Sequence, residues 1–318
     1  MKEISIVIVT WNCRSFADEC LSSLRSQVGE FSTHIIVVDN ASSDGTPEWI
    51  ASHFPEVELI RSETNLGFAK GNNLGLVRAK GDYICLINPD VNVAPECIRT
   101  MFEFMERDPS IGLLGPKMIG PDGNVGRSTM RFPTIWNSLC RALALDVIFK
   151  GSRVFGGFLM RDFDHEHIRE VDVLNGWFWM TSRTAIDQVG FLDDQLFMYG
   201  DDLDWSHRFH DAGWRVVFLP DAEAVHYGGG TTKKAPIPFY IALQQANFQY
   251  WKKHNGWLKL TAYFLIMCLH HLVRIAGYAA VLAVKRTGES QAGYKIRRSF
   301  ASILWMTGIG SGRLSEIR

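Results

Sequence analysis

Three nearly unbroken apolar runs govern what this chain can fold into: Ile4-Ser5-Ile6-Val7-Ile8-Val9, His34-Ile35-Ile36-Val37-Val38 and Tyr83-Ile84-Cys85-Leu86-Ile87. Apolar residues at successive rather than alternate positions suit strands covered on both faces, as in a parallel sheet. Segments of helical length separate them: residues 15–27 with Ser15 as N-cap, 47–53 opening on Pro47, and Asn65 to about Ala79. A short strand, Val57 to Ile60, falls before the last of these. This alternation predicts an α/β fold, a mostly parallel, twisted, Rossmann-like sheet with helices on both faces. The runs stop at Thr10-Trp11-Asn12, Asp39-Asn40 and Asn88-Pro89-Asp90, and in open α/β sheets ligands bind at that carboxyl edge. Pro89 cannot extend a central ladder and holds Asn88 extended, so Asp90 is delivered just past the edge. There it reads as the contact for a divalent cation on a sugar-nucleotide diphosphate. As a bare tripeptide, Asn-Pro-Asp also serves as a plain turn.

Further along, the pattern predicts a helix over 95–107, a strand from Gly112 to Ile119, and a turn at Gly120-Pro121-Asp122-Gly123. Residues 124–170 carry aromatics, Arg and Gly without a clear period and read as containing a mobile flap over the site. A strand with a glycine break follows over 172–182, then helices at 184–189 and about 201–213, and closing strands at Val216 to Leu219 and Glu223 to Tyr227. The expected division is a catalytic domain over 1–235, with a nucleotide-sugar half (1–110) and an acceptor half (111–235), and a helical, basic segment over 236–318. Neither the glycine fingerprint of dinucleotide sites nor a Walker A motif follows the first strand.

The net charge of −1 hides an asymmetry. Residues 252–318 hold eleven Lys/Arg against two Glu (+9), and residues 1–251 hold 22 Lys/Arg against 32 Asp/Glu (−10). The acidic body argues against nucleic acid as a partner, and the basic tail suits an anionic membrane surface. The six cysteines form no C-x-x-C pair and sit in apolar settings, which fits a reducing compartment. The first apolar run is too short for a signal peptide, so a cytoplasmic location is expected, peripheral on the membrane if the C-terminal segment anchors it.

Among polar residues, Asp202 shares a helical stripe with Trp205, Phe209 and Ala212, a carboxylate on the face that apolar residues bury. Such a group needs a partner or a task, and a general base for an attacking hydroxyl is one such task. Helix N-termini also collect acids for capping, which accounts well for Asp201. His226 ends a strand before Tyr227-Gly228-Gly229-Gly230-Thr231-Thr232, where it can ligate a metal or touch a phosphate, or be an ordinary histidine before a linker. Asp39 can accept from a nucleobase or ribose, or start an Asx turn with Ser42 or Ser43. Lys70 and Arg78 read as solvated. Asn72 and Asn73 are poor helix formers inside a helix, which suggests a polar task for one of them.

In order, Val9-Thr10-Trp11-Asn12, Val37 to Thr46, Asn65-Leu66-Gly67-Phe68-Ala69-Lys70-Gly71-Asn72-Asn73, Asn88-Pro89-Asp90, Gly200-Asp201-Asp202-Leu203-Asp204 and His226-Tyr227-Gly228-Gly229 resemble the motifs of family 2 inverting glycosyltransferases of GT-A fold, above all the rhamnosyltransferase-like branch. The resemblance covers residues 4–230. It implies that Thr10, Asn12 and Asp39 cradle the nucleotide, that Asn65, Gly67 and Asn73 line its site, and that Asn88-Pro89-Asp90 stands in for the Asp-x-Asp motif. Asp90, with His226 nearby, would then contact Mg²⁺ or Mn²⁺, although Asn88 replaces the first acid. Asp202 matches the catalytic base, and Asp201 stands where this branch often has Glu. Trp177 and Trp179, with Asp201, are expected on the acceptor side, the tryptophans either stacking on a sugar or packing in the core.

Residues 257–284 are apolar but interrupted by Lys259, His270, His271 and Arg274, with Trp257 and Lys285-Arg286 at the ends. An interfacial helix or hairpin pair on the membrane is expected, with a homo-oligomer interface as the alternative. Together these features predict transfer of a sugar, L-rhamnose from dTDP-rhamnose first, to a lipid-linked or polysaccharide acceptor. The alternatives are a UDP-hexose or furanose donor on the same fold, or a sugar-nucleotide-binding module without catalysis.

Overall fold

The computed structural model describes residues 1–27, 29–149, 151–228, 236–284 and 291–308. The glycine-rich run beyond Gly228 and the Lys285-Arg286 pair, both singled out above, lie outside those residues. The chain forms two compact units, one of Met1–Met130 with Asp164–Thr231, the other of Arg131–Phe163 with Thr232–Ile317.

The first unit is built on a nine-stranded sheet among the described residues. Strands β1 (Lys2–Thr10), β2 (Phe31–Asp39), β3 (Glu58–Arg61) and β4 (Tyr83–Ile87) pair in parallel in the order β3-β2-β1-β4. Helices α1 (Arg14–Arg25), α2 (Thr46–His53) and α3 (Gly67–Arg78) connect them. Every residue of β4 is buried, as its unbroken apolar run requires. Beyond β4 the sheet continues through β6 (Ile111–Ile119), β10 (Phe178–Ser182) and β11 (Arg215–His226), with β10 lying antiparallel between β4 and β6. That reversal matters, because it brings the start of β10 to the carboxyl edge where the parallel strands end. Two strands absent from the sequence pattern, β5 (Val91–Val93) and β8 (Arg169–Glu170), pair antiparallel with β11. The other short pair, β7 (Thr129–Met130) and β9 (Val173–Leu174), makes a small second sheet.

The two closing strands expected before and after Pro220 are one strand, β11, whose register on β6 shifts between Leu219 and Glu223. Proline lacks the N–H that the ladder needs, so the break is a bulge and not an end. Helix α4 (Cys97–Arg107) buries Ile98, Met101, Phe102 and Met105 at helical spacing; the wholly enclosed Ile98 and Met101 each contribute roughly 2 kcal/mol. Helices α7 (Arg183–Val189) and α8 (Asp201–Asp211) complete the unit.

The second unit is helical. Of the stretch 124–170, which shows no clear period, this unit takes α5 (Ile135–Ala142) and α6 (Leu145–Ile148). A capping box starts α5: the Thr134 hydroxyl accepts from the Asn137 N–H, and the Asn137 side chain accepts from the Thr134 N–H. Helix α10 (Gly256–Val284) packs on α5, and α9 (Pro236–His254) and α11 (Gln291–Met306) pack on α10 and on each other. The stretch 257–284 is thus one continuous helix and not a hairpin, because Gly277 alone is too mild a break to turn a helix of that composition. Gly256–Ala283 is long and apolar enough to cross a membrane.

Candidate active site

The carboxyl edge of the first four strands is locked by side chains. Register sets Thr10 opposite Asp39, and the Thr10 hydroxyl donates to Asp39 Oδ1 at 3.1 Å. Asp39 Oδ2 accepts the Ser42 N–H at 2.9 Å, so the Asx turn open in the sequence does form. Asn12, in the left-handed region at φ 49°, accepts the Ser43 N–H at 2.8 Å through Oδ1. These bonds tie the ends of β1 and β2 into one rim.

The Asn65–Asn73 segment joins that rim to a distant loop. Asn65 Oδ1 accepts the Gly67 N–H at 3.0 Å and so opens α3, and the Gly67 carbonyl accepts from Asn40 Nδ2 at 2.9 Å. Gly67 has φ 81°, and a Cβ there would drive into the Phe197 carbonyl. Asn73 spends its amide on the Leu192 backbone: Nδ2 donates to the carbonyl at 2.9 Å and Oδ1 accepts the N–H at 3.1 Å. The polar task suspected for one of the two asparagines is therefore this clamp, while Asn72 bonds back to the Phe68 carbonyl within its own helix.

The turn after β4 gathers a second group. The Asn88 N–H donates to the Trp177 carbonyl at 2.9 Å, and the Asp90 carbonyl accepts the Tyr227 N–H at 3.0 Å. Because Val91 pairs with His226, Asp90 Oδ1 lies 3.2 Å from His226 Nε2. The Trp177 ring stacks on the imidazole, with centroids 5.5 Å apart and planes 16° from parallel. Two donor atoms on neighbouring corners of a six-coordinate ion with bonds of about 2.1 Å would be about 3 Å apart, so the pair has the spacing of two ligands on one small divalent cation.

The acidic motif opens α8. Tyr199 at φ 69° and Gly200 at φ 80° make two successive left-handed residues just before it. Asp202 is half-buried, its Oδ1 accepts the Leu203 N–H at 2.9 Å, and burial pushes its carboxyl up to about 6. Asp201 is the more deeply buried of the two, and its Oδ1 has no partner among the described residues. Burial first, and then the neighbouring Asp202 charge, raise it well above the carboxylate range. Asp204 pairs with Arg208 at 2.9 Å, and Arg208 also donates to the carbonyls of Val189 and Phe191, fixing the loop that leads back to Leu192.

Several expectations are corrected here. Trp177 and Trp179 are both buried, one stacked on His226 and the other packed on Trp205, so neither offers a face to an acceptor sugar. Asp201, expected on the acceptor side, is buried in the first turn of α8 and presents no open surface to an acceptor. Among the described residues no hydrogen bond or ion pair joins Asp202 to the Asp90–His226 pair. Arg208 and the Tyr199-Gly200 bend were not singled out from sequence. The i,i+4 spacing of Asp204 and Arg208 is a readable signal for the first, and nothing local marks Tyr199.

Residues 5–167 match the family model described as Glycosyl transferase family 2. An N-acetylglucosaminyl-diphospho-decaprenol L-rhamnosyltransferase of Mycobacterium tuberculosis is 29% identical over 275 residues, 80% of this chain and 86% of that one. A dTDP-rhamnosyl transferase of Shigella flexneri is 23% identical over 318 residues, 98% of each chain. A solved mannosyltransferase from Pyrobaculum calidifontis, in complex with GDP-Man and Mn²⁺, superposes with a TM-score of 0.52 at 16% identity, covering 99% of this chain and 77% of that one, a likeness of fold alone. With its parallel half-sheet, its antiparallel insertion and its acidic helix start, the chain belongs to glycosyl transferase family 2, in the GT-A fold.

Proposed function

We propose that the enzyme moves L-rhamnose from dTDP-rhamnose onto a lipid-linked or polysaccharide acceptor in cell-envelope glycan synthesis, by one inverting displacement. The observation that carries the mechanism is Asp202: a carboxylate raised to about 6 at the start of α8, ionised near neutral pH yet basic enough to take a proton. The acceptor hydroxyl gives its proton to Asp202, and its oxygen attacks the anomeric carbon on the face opposite the departing nucleoside diphosphate. Asp201 is raised in the same direction, by burial first and then by the Asp202 charge beside it.

The rim of Thr10, Asn12 and Asp39 is the seat for the nucleotide, with Asn65 and Gly67 shaping the wall beside it. Asp90 and His226 are the residues that would hold Mg²⁺ or Mn²⁺, and a nitrogen donor favours the second. When bound, the ion neutralises the diphosphate as it leaves. The donor sugar is taken from the two rhamnosyl relatives. The basic, apolar helical unit supports a peripheral place on the cytoplasmic face of the membrane, near a lipid-linked acceptor.

Donor turnover measured on a panel of nucleotide sugars with Mn²⁺ tests this. dTDP-rhamnose should be turned over fastest, the product should have the inverted anomeric configuration, and Asp202→Asn should cut transfer about a hundredfold or more. Preference for a UDP-hexose or furanose donor would replace the rhamnosyl reading, and full transfer by Asp202→Asn would remove the mechanism.

A further inference from the structure

Strand β5 ends the strand order of the main sheet, and there it meets helix α1. An edge strand leaves backbone groups unpaired, and side chains of α1 take up several of them. Ser23 Oγ accepts the Val93 N–H at 3.1 Å, and Cys20 Sγ donates weakly to the Asn88 carbonyl at 3.8 Å. Just past the helix, Gln27 Nε2 donates to the Ala94 carbonyl at 3.0 Å, and Gln27 Oε1 accepts the Ile98 N–H at 3.3 Å. Phe16, Glu19, Cys20 and Ser23 recur at helical spacing and share one face. The segment that carries Asp90 is therefore held by α1 both before and after that residue.

Glu19 reaches further than its neighbours on that face. Its Oε1 accepts from Asn92 Nδ2 and from the Tyr227 hydroxyl, each at 2.5 Å. Asn92 lies on β5 and Tyr227 just past the end of β11, so one carboxylate oxygen joins the two strands. Val91 pairs with His226 and Asn92 with Val225, so Asn92 and Tyr227 bracket the rung that sets Asp90 beside His226. Side chains alternate along a strand, which puts Asn92 and Tyr227 on the face toward α1 and the imidazole on the other, stacked on Trp177. The Tyr227 ring packs on Phe16 with centroids 5.9 Å apart, which holds its hydroxyl toward Glu19. The backbone N–H of the same Tyr227 donates to the Asp90 carbonyl. Hydrogen bonds to an ionised acceptor are stronger than neutral ones, so this junction is firm for one near the surface.

We propose that Glu19 is a positioning residue for the cation pair: by holding Asn92 and Tyr227 to one oxygen, it fixes where the end of β11 sits against β5 and so how His226 meets Asp90. Glu19 acts through those two side chains and is not itself a ligand. The inference rests on the metal role proposed for Asp90 and His226 and adds the group that sets their geometry. A small divalent ion is held tightly only where its ligands are kept at its spacing, and residues outside the ligand set do that work. A staple that merely fastened α1 to the sheet would support stability and leave the affinity for the ion alone.

Paramagnetic resonance titration of the full chain with Mn²⁺, beside urea unfolding of the metal-free protein, tests it. Glu19→Ala should weaken Mn²⁺ binding about tenfold, and Tyr227→Phe, which removes one of the two bonds, about threefold. The double variant should be no weaker than Glu19→Ala, because both changes act through one oxygen. Glu19→Gln keeps an acceptor oxygen without the charge and should restore most of the affinity. A loss by Glu19→Gln equal to that of Glu19→Ala would make the charge the cause and overturn the positioning role. So would losses that add in the double variant, or a Glu19→Ala protein that unfolds at lower urea yet binds Mn²⁺ as the native chain does. If His226→Ala weakens Mn²⁺ binding and Glu19→Ala does not, only the positioning role falls. If neither weakens it, the metal role proposed for His226 falls as well.

Discussion

Asp202→Asn should make the protein more stable and the enzyme inactive, and the two effects have one cause. Burial raises the carboxyl from its usual 3.8 to about 6, so the folded state disfavours the charged form. At about 1.4 kcal/mol per pH unit, holding that charge at neutral pH costs the fold about 3 kcal/mol. The side chain keeps part of its surface open, and solvent there reduces the figure to about 2 kcal/mol. Asparagine fits the same space and can still accept the Leu203 N–H through Oδ1. The sign follows from proton counts. Between about pH 4 and pH 6 the folded state binds a proton that the unfolded state has lost, so native stability falls as pH rises through that window. Above it the full cost is present, and below it the cost is gone. Urea unfolding should therefore show Asp202→Asn about 2 kcal/mol more stable than the native chain at pH 7 and equal to it near pH 3.5. Native transfer should fall about tenfold per unit below pH 6, and the variant should retain about 10⁻² to 10⁻⁴ of native kcat. A variant less stable than the native chain at pH 7, or a gain that is the same at both pH values, would refute the reasoning.

Asn73→Ala removes two bonds to the buried Leu192 backbone and should cost about 2 to 4 kcal/mol. Its kinetic signature should be a lower kcat with little change in donor KM, because the loop it clamps leads to Asp201 and Asp202. A raised donor KM at native kcat would make Asn73 a donor contact instead. Gly67→Ala meets both a left-handed φ and the Phe197 carbonyl, so it should lower the urea midpoint by more than the roughly 1 kcal/mol expected of the backbone alone. His226→Ala should weaken Mn²⁺ binding, followed by paramagnetic resonance titration, by about tenfold or more; unchanged Mn²⁺ affinity would remove His226 from the metal site.

The parallel half of the sheet was legible because β4 and the inner stretches of β1 (Ile6–Val9) and β2 (Ile35–Val38) are unbroken apolar runs, which suit a doubly covered strand. β5 was not, since three residues after a turn carry no period. The 131–163 stretch hid its helices because α5 and α6 are only eight and four residues long, too short for a helical period to stand out. For the site, motif order located Thr10, Asp39, Asp90, Asp202 and His226, but residue type alone could not separate two adjacent aspartates. The stripe of Asp202, Trp205 and Phe209 pointed to a buried carboxylate, and Asp201 lies deeper because the Tyr199-Gly200 bend sets the angle at which α8 enters. Trp177 and Trp179 stay open in the sequence between sugar platform and core, because aromatic residues serve both purposes. Trp179 lies on β10, a central strand with both faces covered, and Trp177, just before that strand, stacks on His226.

The pairing of Val91 with His226 bears on how the enzyme is made. Asp90 leaves the ribosome early, and His226 follows only after β5, β6, β8 and β10 of the main sheet have been synthesised. A nascent chain can close its first four parallel strands and shape the nucleotide rim while the cation pair is still half present. On the proposed roles, a partly built enzyme has its seat for base and ribose but only one of the two groups at the diphosphate, and the second arrives with the last long strand.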